Sequence, residues 1–298
     1  MLSSRAMNII HGTLQRFLFE QEPIRGELVH LDDAWQSILD RHDYPPEIRD
    51  LLGELAAAAV LLAATLKLEG ALVLQIQGSG TLKLLVVECS GALQIRATAK
   101  WSGELGQGSL DELVGDGRFV ITLDPKEGKQ AYQGIVELEG GSVAEMLENY
   151  MRRSEQLETR IWLAADGQCA AGMLLQKLPE QQEADADAWS RVAQLADTLK
   201  REELLGLPAQ EVIHRLYHEE DLRLFETQPV TFHCNCSRAS VASMLKMLGQ
   251  DEIYGILAER GSIEVFCEFC NQRYEFDCID VELLFVEAAV LPASEARH

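Results

Sequence analysis

Cys234 and Cys236 form a C-x-C pair, Cys267 and Cys270 form a C-x-x-C pair, and thirty residues separate the two. Four thiolates delivered from two short knuckles make a tetrahedral soft-metal site, and that geometry suits zinc. The expected complement is one Zn²⁺ held by Cys234, Cys236, Cys267 and Cys270. Zinc binds the thiolate rather than the thiol, so loading keeps nucleophilic sulfur in store at neutral pH. Four sulfur ligands leave no open coordination position, which argues against hydrolytic metal catalysis. The same spacing lets each pair close on itself once the metal is lost. The site therefore reads either as a fixed structural clip or as a redox switch, and spacing alone favours the clip. A thiol oxidoreductase built on Cys267 and Cys270 fits less well, because catalytic C-x-x-C pairs sit at a helix start without two further ligands.

The flanking residues position the knuckles. Asn271, directly after Cys270, suits the left-handed backbone that such a turn needs, and Tyr274 and Phe276 alternate with polar residues as a strand would. His233 reads as a strand residue or an outer contact, since four cysteines already complete a zinc shell. Cys278, in FDCIDV, reads as a small core residue of a strand, and Cys89 and Cys169 read as buried strand residues. The segment 232–288 is too short for a comfortable core of its own. Structural zinc contributes roughly 10–16 kcal/mol that is inseparable from folding, so the segment should melt without it. Cross-links within each knuckle would recover little of this, because such short loops remove little chain entropy.

Upstream, Pro45 and Pro46 open a segment in which Ile48, Leu51, Leu52 and Leu55 recur at helical spacing before an all-apolar run to Leu62. This predicts a buried helix ending near Gly70. ALVLQIQ at 71–77 and TLKLLVV at 81–87, separated by Gly78-Ser79-Gly80, predict a hairpin, with a third strand at 92–99. A second hairpin is expected from 118–123 and 131–138 about a turn at Asp124–Gly128, and Ser142 with Glu145 marks a helix start. Strands at 160–164 and 169–175 complete the sheet.

The fold class is α+β: an N-terminal mixed sheet-and-helix domain at 1–178, a helical linker at 179–231, a small C-terminal zinc-binding domain at 232–288 and a tail at 289–298. Between residues 180 and 228 twelve acidic side chains, Glu180, Glu183 and Asp185 among them, face five basic ones. Amphipathic stripes nonetheless run through Trp189/Val192/Leu195/Leu199 and Val212/Ile213/Leu216/Tyr217, broken at Gly206-Leu207-Pro208. Helices this short are marginal alone, so tertiary packing must hold them.

A net charge of −22 disfavours attraction to nucleic acid or to anionic lipid. No apolar run approaches the roughly 20 residues that span a bilayer, the weakly apolar stretch at Ile9 and Ile10 is interrupted by Arg5 and Arg16, and seven cysteines do not suit a disulfide framework. The expected setting is the cytoplasm. Glycines 78, 80, 103, 106 and 108 match neither a phosphate loop nor a dinucleotide fingerprint, and no catalytic residue is indicated.

Several peptides, in order, resemble one family over nearly the whole chain. They are His42-Asp43-Tyr44-Pro45, Leu51-Leu52-Gly53-Glu54-Leu55, Ala64-Thr65-Leu66-Lys67, Gln75-Ile76-Gln77-Gly78-Ser79-Gly80, Tyr132-Gln133-Gly134, Arg153-Ser154-Glu155-Gln156-Leu157, Ala171-Gly172-Met173-Leu174-Leu175-Gln176 and the paired cysteines. The family is that of the redox-regulated chaperone heat-shock protein thirty-three. The resemblance implies a reduced, zinc-bound, inactive state and an oxidised state with Cys234–Cys236 and Cys267–Cys270 disulfides. It further implies that the C-terminal module and linker then unfold and hold non-native client proteins without ATP. A homodimer on activation and hand-over to foldase chaperones are also implied, and no enzymatic activity. The rival reading is a constitutive zinc-stabilised interaction module.

Overall fold

The computed structural model describes residues 12–66, 69–103, 110–125, 130–179 and 187–289. Ile9, Ile10, Lys67, Gly106, Gly108, the turn residues 126–128, the acidic Glu180, Glu183 and Asp185, and tail residues 290–298 lie outside them. The chain divides into two compact units, Met1–His233 and Cys234–His298.

The first unit opens with β1 (Thr13–Phe19), β2 (Ile24–His30), α1 (Asp32–Leu39) and α2 (Pro46–Thr65). It continues with β3 (Gly70–Gly78), β4 (Leu82–Ser90), β5 (Gln94–Trp101), α3 (Leu110–Val114), β6 (Gly117–Pro125) and β7 (Tyr132–Val136). Next come α4 (Val143–Arg153), β8 (Thr159–Ala165), β9 (Ala170–Lys177), α5 (Ala188–Ala196), α6 (Arg201–Gly206) and α7 (Ala209–Tyr217). Short strands β10 (Leu222–Leu224), β11 (Gln228–Pro229) and β12 (Thr231–Phe232) end it. The second unit holds α8 (Arg238–Leu248), α9 (Gln250–Arg260), β13 (Ile263–Phe266), β14 (Arg273–Phe276) and α10 (Cys278–Ala289).

Two sheets carry the first unit rather than the single one the sequence suggested: β10-β1-β2-β9-β8, with β11 also on β1, and β12-β5-β4-β3-β6-β7. Helix α2 packs against both. Pro45 and Pro46 start it as expected, and its run from Leu55 to Ala63 is buried on every side, which an all-apolar helix requires. It stops at Thr65, earlier than expected, because Leu66 turns extended and Gly70 is already paired with Pro125 in the sheet. Ser142 caps α4 by accepting from the Glu145 N–H at 3.3 Å. The Glu145 carboxylate reaches back to Gly141 N, one residue before the usual capping-box partner.

Strand β9 is buried on both faces, so its sequence runs AAGMLLQK without polar alternation. Ala170 and Leu174 join the α2 core, whereas Ala171, Met173 and Leu175 face the other way. On that outer face they meet Phe17, Phe19, Ile24 and Leu28, and the cover is supplied by Ala188, Val192, Ala196, Leu204, Val212, Ile213, Leu216 and Tyr217 of α5–α7. The acidic linker is thus a lid on an apolar sheet. Leu195, expected within its stripe, is exposed; Ala193 and Ala196 are buried in the same helix. Phe17 lies across Gly26 in register, and a Cβ there would stand 2.1 Å from the Phe17 ring, so only glycine fits. Polar contacts add to the lid: His30 Nε2–H donates to Leu204 O at 2.7 Å, and Arg201 donates to Ala165 O. Burial holds the His30 ring below its ordinary pKa, so it bonds as neutral imidazole.

Candidate metal centre

Cys234 and Cys236 lie on the non-helical stretch before α8, whose start is fixed by Ser237, its side chain accepting from the Ser240 N–H at 3.1 Å. The other two ligands sit at the tip of the β13–β14 hairpin. There Cys267 N–H donates to Gln272 O at 3.0 Å and Asn271 N–H donates to Cys267 O at 2.8 Å, closing a tight knuckle around Cys270. Asn271 has φ 57°, the left-handed conformation expected from its residue type. Arg238 joins the two halves of the module: it donates to Glu275 O at 2.7 Å, pairs with Asp280 at 2.7 Å and stacks 4.2 Å over the Phe276 ring.

The four half-buried sulfurs all lie within 4.8 Å of one another. Cys234 and Cys267 sulfurs are 3.7 Å apart, and Cys236 and Cys270 sulfurs 3.3 Å. Zn–S bonds of about 2.3 Å in a tetrahedron need sulfurs about 3.8 Å apart, so the cluster fits one zinc with modest adjustment. Both separations far exceed the ~2.05 Å of a disulfide, and all seven cysteines are free thiols. Burial pushes the Cys270 thiol up, and the neighbouring sulfurs of Cys236, Cys234 and Cys267 add to it. A divalent cation among the four sulfurs favours their thiolate form. The donor set therefore fits zinc, which these four residues would hold.

The chain matches the family model described as Hsp33 protein over residues 12–277. This chain belongs to the Hsp33 family. Its relatives include 33 kDa chaperonins of Methylobacillus flagellatus, 59% identical over 97% of this chain and 99% of that one, and of Chromobacterium violaceum, 54% identical over 97% and 98%. The 33 kDa chaperonin of Neisseria meningitidis serogroup B is 50% identical over 92% of each. The crystal structure of the Thermotoga maritima Hsp33 homologue superposes with a TM-score of 0.81 at 21% identity, over 94% of this chain and 99% of that one, which shows the shared fold. Membership places the chain among chaperones rather than enzymes. Among the described residues no helix is long and apolar enough to cross a membrane.

Around this Hsp33 centre, Tyr274 matters more than its reading as a plain strand residue suggested. Its hydroxyl donates to the Cys236 sulfur at 3.1 Å, and that bond pushes the phenol up to about 12. The signal was available: Tyr274 is four residues beyond Cys270, on a strand leaving the knuckle. His233 is exposed and belongs to the first unit, its N–H donating to Ile95 O at 3.0 Å. Cys278 is neither in a strand nor in the core. It is exposed at the start of α10, because Asp277 and Asp280 cap the helix reciprocally, Asp280 N–H to Asp277 Oδ1 at 2.8 Å and Asp277 N–H to Asp280 Oδ2 at 3.2 Å. Cys89 and Cys169 are buried as expected, Cys169 one residue ahead of β9. Burial pushes Cys89 up to about 12 and raises Cys169 as well, the neighbouring Asp32 adding to the latter, so both stay protonated and inert.

Proposed function

We propose that this chain is a cytoplasmic, redox-regulated, ATP-independent holdase. In this reading Cys234, Cys236, Cys267 and Cys270 bind one Zn²⁺ in the reduced protein, and the bound ion supplies most of the folding free energy of 232–288. The module's own core is small: Leu245, Ile253, Leu257, Ile263, Phe276 and Val281 are its buried apolar side chains. An oxidant of the peroxide or hypochlorite class takes two electrons from each cysteine pair, forming Cys234–Cys236 and Cys267–Cys270 disulfides while the oxidant is reduced. Both ligand pairs are consumed, the module melts, and the metastable linker at 179–231 follows. The tail at 289–298 has no assigned part.

The observation that carries this reading is the second core. The linker's apolar stripes and the outer face of the β1-β2-β9 sheet are buried only against each other, so releasing the linker exposes both surfaces at once. Each fully buried aliphatic or aromatic side chain is worth about 1.5–3 kcal/mol of hydrophobic transfer, which unfolded clients can recover by binding there. The reading includes dimerisation on activation and transfer of clients to foldase chaperones.

Zinc content and binding of a permanently unfolded polypeptide, measured before and after peroxide with mild heating, test it. Zinc release together with acquired binding is expected. A protein that keeps its zinc and stays inert to the client after oxidation is instead a fixed structural clip.

A further inference from the structure

Each of the strands β10, β11 and β12 lies on a sheet edge. β10 and β11 pair antiparallel with β1, Leu222–Leu224 against Phe17–Phe19 and Gln228-Pro229 against Thr13-Leu14, while β12 pairs parallel with β5. Main-chain bonds run along the whole of β1: Glu20 N–H to Asp221 O at 2.9 Å, Phe225 N–H to Arg16 O at 3.0 Å, and Val230 N–H to Gly12 O at 2.8 Å. The buried Gln15 carboxamide adds a donor to Phe225 O at 2.6 Å. Leu224 and Phe225 are exposed, so backbone pairing holds this stretch more than side-chain burial does.

The covered strand itself is unprotected. Exposed edges are normally blunted by proline, lysine, bulges or short length. β1 reads TLQRFLF: seven residues, no proline and one charge. Such a strand is tolerable at an edge only because residues 221–230 occupy it, and those residues belong to the segment whose release the proposed function requires.

We infer that the β1 edge, Thr13–Phe19, receives an extended segment of an unfolded client, which adds as an antiparallel strand in the place residues 221–230 hold in the structure. The inference rests on the holdase reading, because the edge opens only when the linker leaves. Strand addition draws affinity from main-chain groups that every polypeptide carries, which suits clients without a common sequence. Side chains of an added strand alternate between faces, and one set lies beside Phe17 and Phe19, on the apolar face the linker helices vacate. In this view residues 221–230 act as a built-in pseudo-client.

Backbone amide exchange in a complex with reduced, carboxymethylated α-lactalbumin tests this. Arg16 and Glu20 bond toward the linker, so by the alternation of an antiparallel ladder Leu18, opposite Arg223, faces it too. In the oxidised protein, adding this client should slow exchange at Leu18 at least tenfold while amides of 222–228 stay unprotected. Leu18→Pro, which deletes the donor, should weaken binding by the oxidised protein at least tenfold. Binding with no slowing at Leu18, or full affinity in Leu18→Pro, overturns the inference and leaves the holdase reading intact. No binding by the oxidised protein overturns both. Slowing without client that grows with protein concentration marks a second copy of this chain as the occupant, and also overturns it.

Discussion

Replacing Tyr217 with alanine should open the linker before any cysteine is oxidised. The ring is 1% exposed, edge-on to Phe19 at 5.1 Å and tilted against Phe17 at 6.1 Å, and its hydroxyl donates to Val192 O at 3.3 Å. Truncating a buried aromatic to alanine costs about 3–5 kcal/mol, of which each aromatic pair accounts for about 0.5–1.5. At about 1.4 kcal/mol per factor of ten, the equilibrium between covered and released linker shifts roughly a hundredfold or more. Tyr217→Phe keeps both ring contacts and loses one long hydrogen bond, a change of about 1 kcal/mol or less. The assay is amide exchange across 188–217 in the reduced, zinc-loaded protein, run beside binding of an unfolded polypeptide. Tyr217→Ala should exchange faster and bind client without oxidant, and Tyr217→Phe should match the wild type. Unaltered exchange in Tyr217→Ala refutes the packing reasoning. Faster exchange without client binding shows that the uncovered face is not where clients adhere.

Tyr274→Phe should leave all four ligands in place yet lower zinc affinity about 10- to 100-fold, the usual effect of losing a hydrogen bond to a metal ligand, as read by competition with a chromophoric chelator. Cys236→Ser or Cys270→Ser should abolish stoichiometric zinc and the helical signal of the C-terminal module in reducing buffer; a folded, metal-free module in either variant contradicts the dependence on zinc. Glu27 is buried, and desolvation raises its carboxyl to about 7 against the pull of Arg25 and Arg16. A raised folded-state pKa contributes stability that is complete below the unfolded value of 4.5 and lost as pH rises through about 7. Glu27→Gln should therefore gain on the wild type by about 2.5 kcal/mol between pH 5 and pH 8.5 in urea unfolding, and a pH-independent difference counts against it.

The four-cysteine cluster was legible because its signal is local: residue type and spacing sufficed to name Cys234, Cys236, Cys267 and Cys270, and Asn271 marked the turn. Helix α2 was legible for a similar reason, its Ala-rich run being too apolar for any surface. Strands β1 and β2 escaped notice because Arg16, Arg25 and Glu27 interrupt their alternation, Glu27 being buried inside the sheet. The short strands β10–β12 carry no periodicity at all; pairing with distant β1 and β5 creates them. Helices α8 and α9 went unassigned in the thirty-residue loop, although Val241, Met244, Leu245 and Leu248, then Ile253, Ile256 and Leu257, recur at helical spacing there. Cys278 was misplaced because FDCIDV has strand-like composition, while the aspartates that start a helix there act through their spacing. The division into two sheets followed from long-range pairing that no local window contains.

Two close sulfur contacts in the cluster cross between the knuckles, Cys234 to Cys267 at 3.7 Å and Cys236 to Cys270 at 3.3 Å. In a tetrahedral shell all four sulfurs stand about equally far apart, so while the ion stays distance alone does not choose closure within one knuckle over a weld between the two. In the chain-entropy account such a weld, spanning more than thirty residues, stabilises the fold by about 4 kcal/mol, against about 2 for the local rings. In the proposed redox reading, such a weld would rivet the module shut, and how fast the chelate opens would then set whether oxidation releases the linker.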